Sequence, residues 1–169
     1  MPGPRTLRLC SFPVLAAAAI ACAGCASSQL RISADAFLAE HGNAAVAAAA
    51  AMRAADAAAS RLAGSPTAAE LAALRRAASG ARRKMRMVSE WSVSEGGEEE
   101  DVPRAEGELV EASDEFETAM SSLLSYGRAP AQASLAVYRE DLARGREKWN
   151  EGIGELWHVG GRSGAAPTV

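Results

Sequence analysis

Apolar and small residues recur at alternating spacings of three and four along this chain, and this periodicity limits what it can fold into. In the first such stretch Leu38, Ala45, Met52 and Ala59 are seven apart, with a second series between them. These are the two seam positions of a heptad, which place apolar side chains along one side of a helix. Residues with β-branched side chains are few and scattered, so no strand pattern competes with the helical one. The sequence therefore predicts an all-α protein.

Three further stretches carry the same spacing, and glycine or proline separates them. The second predicted helix begins either with Pro66 in its first turn or with a capping box between Thr67 and Glu70. Four amphipathic helices joined by short links predict an antiparallel up-down-up-down four-helix bundle. The predicted helices span 33–62, about 66–94, 103–127 and about 131–157.

The core of this bundle should be built largely from alanine with a few large side chains, because aromatic residues make up only 5% of the chain. Gly145 and Gly152 occupy seam positions on either side of Trp149. Their small volume either leaves room for the indole or lets a neighbouring helix approach closely. The seams place six large residues together in the expected core: Leu74, Met85, Phe116, Leu123, Leu142 and Trp149.

A charge-free, Ala-rich run, residues 9–28, precedes the helices and reads LCSFPVLAAAAIACAGCASS. Two lone cations, Arg5 and Arg8, come before it, and small residues close it, which is the layout of an export signal. An uncleaved transmembrane helix is the alternative, since roughly 20 apolar residues can span a bilayer. Pro13 and the many alanines argue against that alternative, because alanine contributes little transfer energy.

The run ends in Ala23-Gly24-Cys25, which resembles the lipobox of a bacterial lipoprotein precursor. This resemblance implies cleavage before Cys25 and attachment of a diacylglyceryl group to its sulfur. The expected organisation is a signal peptide (1–24), a lipidated tether (25–32), a helical bundle domain (33–158) and a disordered tail (159–169). The lipid would hold the domain on the extracytoplasmic side of the cell membrane or the outer membrane.

Little in the sequence indicates catalysis or a cofactor. Cys25 would be the only cysteine after cleavage, which excludes a disulfide and thiol chemistry, and the Cys22–Cys25 pair lacks the second ligand pair of a zinc site. Glu155 and His158 form a single Glu-x-x-His, whereas di-iron bundles need two. The acidic run 98–101 lacks the spacing of a calcium loop. We therefore expect no enzyme, no metal site and no cofactor, and the formal net charge of −3 argues against nucleic acid as a partner.

A set of arginines on the second predicted helix is the clearest candidate for an interaction site. Their spacing of one and seven residues places them along one side of the helix. Either they bind an anionic partner, such as an envelope protein or an anionic polymer, or they pair with the acidic third helix, which the abundance of carboxylates there favours. The arginines are Arg75, Arg76, Arg82, Arg83 and Arg86.

Two tryptophans provide a second candidate. In an alternating bundle, Trp91 and Trp157 reach the end next to the tether, where indoles favour the headgroup region of a bilayer. Alternatively, both indoles close the hydrophobic core. Taken together, the sequence predicts a lipid-anchored, non-enzymatic interaction or scaffolding module of the cell envelope. The alternative is a small-ligand- or metal-binding bundle with a cavity lined by its aromatic residues.

Overall fold

The computed structural model describes residues 34–62, 65–91 and 101–169, and the described part of the chain contains four α-helices and no strand. The all-helical class is therefore confirmed. Three of the helices agree with their predicted stretches to within two residues at each end, whereas α2 ends at Ser89, before the predicted end at about residue 94. The helices are α1 (Ala34–Ser60), α2 (Ala68–Ser89), α3 (Asp101–Arg128) and α4 (Gln132–Val159).

Several predictions fall outside the described residues. These are the signal peptide, the lipidated tether with Cys25 and residues 98–100 of the acidic run. Within the ranges that the structure describes, no helix is both long enough and apolar enough to cross a bilayer.

The start of α2 is set by a capping box. The Thr67 N–H donates to Glu70 Oε2 over 2.7 Å, and the Glu70 N–H donates to Thr67 Oγ1 over 3.3 Å. The two bonds satisfy N–H groups that have no partner inside the helix. Because α2 begins at Ala68, the alternative that placed Pro66 in the first turn is wrong, and Pro66 precedes the cap instead.

α3 begins at Asp101, two residues before the predicted start at Pro103. A proline in the first turn is tolerated, because the N–H groups there have no intrahelical acceptor and its absence removes no hydrogen bond. Proline therefore marks the first turn of this helix rather than its first residue.

The core lies between the four helices and is filled by alanine and by a few large side chains. All six residues predicted to form it are buried, and Leu74, Met85, Phe116, Leu123 and Trp149 are fully so. α1 contributes mainly alanine, with Phe37, Leu38 and Met52 as its large buried residues. The prediction of the core from the heptad seams is confirmed.

α3 and α4 make the most extensive contact between any two helices, and α1 and α4 meet along a much narrower strip. In that strip the Tyr138 hydroxyl donates to Asp56 Oδ1 over 2.8 Å, and Arg146 Nη2 lies 3.1 Å from Asp56 Oδ2. One carboxylate of α1 therefore joins two side chains of α4.

The segment that follows α4 differs from the disordered tail predicted for 159–169. The Gly161 backbone has φ of +61°, and the N–H groups of Gly161 and Arg162 donate to the carbonyls of His158 and Trp157, both over 3.1 Å. This is a Schellman motif, which ends a helix at a left-handed glycine and reverses the chain.

Beyond this reversal the tail lies against the bundle instead of extending into solvent. The Trp149 Nε1–H donates to the Pro167 carbonyl over 2.9 Å, and the Val169 N–H donates to Asn150 Oδ1 over 2.9 Å. Ala166 and Val169 pack against the core. The sequence gives no indication of these contacts, because small and turn-forming residues carry no periodic signal and the contacts join residues distant in sequence.

Candidate functional site

α3 engages three of the five arginines of the predicted stripe. Arg82 Nε and Arg86 Nη2 lie 3.6 and 3.3 Å from the same oxygen, Glu117 Oε2. Arg75 Nη1 donates to the Gly127 carbonyl over 3.0 Å. Internal pairing therefore accounts for part of the stripe.

Arg76 and Arg83 face solvent, and neither forms a hydrogen bond or ion pair with another residue of the part of the chain that the structure describes. The acidic residues of α3 are directed mostly toward α4 instead. Glu111 Oε2 lies 2.8 Å from Lys148 Nζ, and Glu115 Oε2 lies 3.2 Å from Arg144 Nη2. Among the described residues, α2 thus meets fewer carboxylates than its arginines could pair with.

Helix geometry explains this division of the carboxylates. Each residue advances about 100° around a helix, so positions four apart share a side while positions two apart lie on nearly opposite sides. Glu111 and Glu115 are four apart and face α4, whereas Glu117 faces α2. The hydrogen bond and the charge of Glu115 raise the pKa of Arg144, and those of Glu111 raise the pKa of Lys148.

The arginines border two adjoining open depressions, of about 640 Å³ and 510 Å³, which share Ser79 and Arg83. Met87 and Leu124 add apolar surface to the larger depression, and Met87 is 51% exposed. Arg128, at the end of α3, also lines it and was not singled out from the sequence, because the register between helices cannot be read from spacing within one helix. We call these six arginines the cationic surface: Arg75, Arg76, Arg82, Arg83, Arg86 and Arg128.

An ion pair joins the beginning of α3 to the end of α4. Glu155 Oε1, from the single Glu-x-x-His, lies 2.5 Å from Arg104 Nη2, and His158 is exposed. Partial burial, and then the charge of Glu151, raise the pKa of Glu108. Among the described residues, no group of three histidine, cysteine, aspartate or glutamate side chains is arranged to hold a metal ion.

The four aromatic residues that would line a ligand cavity, Phe116, Tyr126, Tyr138 and Trp149, are all buried. The Phe116 and Trp149 ring centroids lie 6.1 Å apart. Burial, and then the hydrogen bond to Asp56, raise the pKa of Tyr138 above its ordinary range. The contacts described for these side chains are those of a packed core.

Trp91 and Trp157 both lie at the end of the bundle where α1 begins. The Trp91 indole stacks on His41, with ring centroids 4.7 Å apart, and meets Phe37 edge-on at 5.5 Å. Trp157 is partly buried against the core, and Gly160, three residues later, approaches Leu38 of α1. His41 also contacts Phe37, with ring centroids 4.8 Å apart, and so completes this aromatic cluster.

Comparison with known proteins adds no relative to these observations. No family model, no curated protein and no solved structure matches the chain. Its function must therefore be inferred from the chemistry of its own surfaces. The cationic surface stands out in the described part of the chain because its arginines are only partly paired.

Proposed function

We propose that this protein is a lipid-anchored, non-enzymatic interaction module of the cell envelope that binds an anionic partner through the cationic surface. Arg76 and Arg83, exposed and without a carboxylate partner among the described residues, carry the proposal. Like charges held close together repel each other, so a surface of this kind gains free energy when an anion arrives.

The chemistry of the surface defines the class of partner. Arginine presents five N–H donors in a planar fork and binds carboxylates and phosphates with two parallel hydrogen bonds. Met87 and Leu124 place apolar surface beside these forks. An acidic envelope protein, which carries carboxylates and apolar side chains together, matches both parts of the surface better than a uniformly charged polymer.

The up-down-up-down order of helices belongs to the same proposal, and pairs of contacts support it. Arg75 contacts Gly127 while Arg86 contacts Glu117, so advance along α2 corresponds to retreat along α3. The pairs Arg104–Glu155 and Glu111–Lys148 have the same sense between α3 and α4. In this topology the cationic surface lies along the side of the bundle, where a partner on the same membrane can reach it.

Photo-crosslinking in the native envelope tests the proposed surface. A photoreactive residue at Met87 should form adducts with an acidic protein, whereas the same residue at Val137 should not. The two positions are matched, since their side chains are 51% and 46% exposed and lie on different helices. Equal labelling from both positions, or none from position 87, would overturn the proposal.

A pair of double variants separates the effect of the surface from that of net charge. Arg76→Ala with Arg83→Ala should abolish the adducts from position 87, because the unpaired forks are removed. Arg61→Ala with Arg139→Ala removes the same charge from other exposed positions and should leave the adducts unchanged. Added salt should weaken the interaction, since exposed charges are screened over about 8 Å at physiological ionic strength.

The anchor is tested separately. Cys25→Ser should abolish labelling with a radioactive fatty acid and leave an uncleaved precursor, because the acceptor sulfur is gone. Intact-mass analysis of the native protein should show a mature chain that begins at a diacylated Cys25. An unlipidated mature chain that begins elsewhere would contradict the anchor without affecting the cationic surface.

A further inference from the structure

The strip between α1 and α4 contains a bound peptide, and that peptide is the chain's own tail. After the reversal at Gly161, residues 162–169 return along α4, so that Pro167 lies beside Trp149 and Val169 beside Asn150. From the other side, Arg53 of α1 donates to the Thr168 carbonyl. The tail thus lies in a groove between two helices that contact each other directly only along a narrow strip.

The groove recognises main-chain atoms more than side chains. Two consecutive carbonyls, of Pro167 and Thr168, accept from Trp149 and Arg53, and the next N–H, of Val169, donates to Asn150. Peptide-binding grooves in general obtain affinity from such main-chain bonds and selectivity from pockets for alternate side chains. Here Ala166 and Val169 provide the side chains that pack against the core.

Trp149 provides the groove with a buried hydrogen-bond donor. Its side chain is fully buried, and the bond of its Nε1–H to the Pro167 carbonyl is the polar contact described for it. A buried donor that loses its acceptor destabilises the fold unless water or another acceptor replaces it. The groove therefore favours a hydrogen-bond acceptor at this position, and the carbonyl of another peptide could replace that of Pro167.

The contacts of the tail with the bundle are few. The tail contains no large apolar side chain, and the contact of its Arg162 with Asp35 spans 3.7 Å between exposed groups, which contributes little to stability. The tail has an advantage over free peptides because it is covalently attached to the bundle. A short flexible link gives it an effective concentration at the groove in the millimolar range. A peptide on another molecule has no such advantage, so it fills the groove when the tail is released or when its own concentration exceeds this effective concentration.

We propose that the groove between α1 and α4 is a binding site for a peptide segment of a partner protein, which carries a small residue, a proline and a small aliphatic residue in the order of Ala166, Pro167 and Val169, and that residues 162–169 occupy it in competition. The segment should turn at its proline as the tail does, where the Thr168 N–H donates to the Ala166 carbonyl over 2.8 Å. Proline suits the central position because it has no N–H to satisfy, fixes its own φ near −65° and keeps the preceding residue extended. This site is distinct from the cationic surface, and neither proposal depends on the other.

Peptide binding to the full chain and to a variant that ends after Gly161 tests the proposal. The probe is a fluorescein-labelled peptide with the sequence of residues 162–169, and the readout is fluorescence polarisation. The shortened variant should bind the probe, and the full chain should bind at least about tenfold more weakly, because its own tail occupies the groove in most molecules. An unrelated peptide with the pattern small, proline, any residue, small aliphatic should compete with the probe.

Two changes that each remove a hydrogen-bond donor localise the binding to the groove. Trp149→Phe in the shortened variant removes the N–H donor but keeps an aromatic ring, and should weaken binding by about fivefold or more. Trp91→Phe is the matched control and should have no effect, since Trp91 lies in the cluster with Phe37 and His41. A probe that is N-methylated at the position of Val169 should also bind more weakly, because it cannot donate to Asn150.

Gly161→Ala provides a test that keeps the whole chain. No atom lies within 4 Å of a Cβ built at Gly161, and its φ is positive, so the substitution strains only the reversal. The strain should shift the tail toward release by about fivefold or more and tighten probe binding to the full chain correspondingly. This variant decides the question if the shortened chain does not fold.

Three results would overturn the proposal. The first is the absence of probe binding to both the folded shortened variant and Gly161→Ala. The second is equal binding to the full chain and the shortened variant, which would place the probe elsewhere. The third is a dimer of the full chain, detected by sedimentation and lost on removal of residues 162–169, which would assign the groove to the tail of a second copy.

Discussion

Gly145 and Gly152 show how single residues determine the distance between two helices. A Cβ at Gly145 would lie 2.7 Å from the Phe116 ring, and one at Gly152 would lie 2.7 Å from the Ala105 carbonyl oxygen. Both contacts are with α3, so the glycines let a neighbouring helix approach closely. The alternative from the sequence, in which they leave room for the Trp149 indole, is wrong. The glycines lower the helix propensity of α4 but permit close packing.

Gly152→Ala should lower the free energy of unfolding by about 1 to 3 kcal/mol, since a backbone carbonyl cannot move aside for the methyl group. Gly154→Ala is the control, because a Cβ there meets nothing within 4 Å. It should raise stability by up to about 1 kcal/mol through helix propensity. Urea unfolding of both variants measures the difference, and equal effects would contradict the close approach of α3.

Glu108→Gln should stabilise the protein at neutral pH. Partial burial, and then Glu151, raise the pKa of Glu108 above its ordinary value of 4.5, so the folded state binds the proton more tightly than the unfolded state does. The stability linked to this proton is fully present below pH 4.5 and is lost as the pH rises through the raised pKa.

The gain from Glu108→Gln should therefore be present at pH 7 and should shrink toward zero as the pH falls below 4.5. Glu111→Gln removes the same charge from α3 but breaks the ion pair with Lys148, and should give no gain at pH 7. Thermal unfolding at several pH values distinguishes the two. A gain that does not depend on pH would show that the charge of Glu108 is not its cause.

At the level of whole elements, local signals determine where helices begin and where they reverse. The capping box of α2 was predictable because Thr67 and Glu70 carry the reciprocal bonds within four residues of sequence. The end of α4 has an equally local cause, the positive φ of Gly161. What the tail does after that reversal depends on Trp149, Asn150 and Arg53, and no local pattern encodes those contacts.

Thr67→Ala should cost about 1 kcal/mol of stability through loss of the cap. The backbone and side-chain hydrogen bonds from Thr67 hold the pKa of Glu70 below its ordinary value of 4.5, so the contribution of this carboxylate is present above pH 4.5 and lost as the pH falls through the lowered pKa. Thr67→Ser keeps the hydroxyl and should lose little. NMR titration should show the pKa of Glu70 rising in the alanine variant and staying low in the serine variant.

For the molecule as a whole, the heptad seams were sufficient to predict the helical class and the core, because burial in a helical protein follows periodicity within each helix. They were not sufficient for the cationic surface. Whether an arginine of α2 pairs with Glu117 or faces solvent depends on the rotation and register of α3 relative to α2. Glu111 and Glu115 of the same helix pair with α4 instead. The position of Arg128 beside the arginines of α2 depends on the same rotation and register of α3.

Phe116→Ala should cost about 3 to 5 kcal/mol, since transfer energy is lost and a cavity remains at the centre of the core. The same substitution removes the ring that a Cβ at Gly145 would meet. The double variant Phe116→Ala with Gly145→Ala should therefore lose less stability than the sum of the two single variants. Denaturant unfolding of the cycle measures this coupling, and strict additivity would place Phe116 away from α4.

The unequal contacts of α4 with its two neighbours imply unequal local stability. α3 and α4 are joined along their length by close packing and ion pairs, whereas α1 reaches α4 mainly through Asp56 and the tail. Backbone amides in the middle of α3 and α4 should exchange with deuterium only through global unfolding, while those of α1 should exchange through a smaller opening. In that partly open state α1 swings away from a persisting pair, and the alanine seam of α1 becomes the first part of the core to meet water.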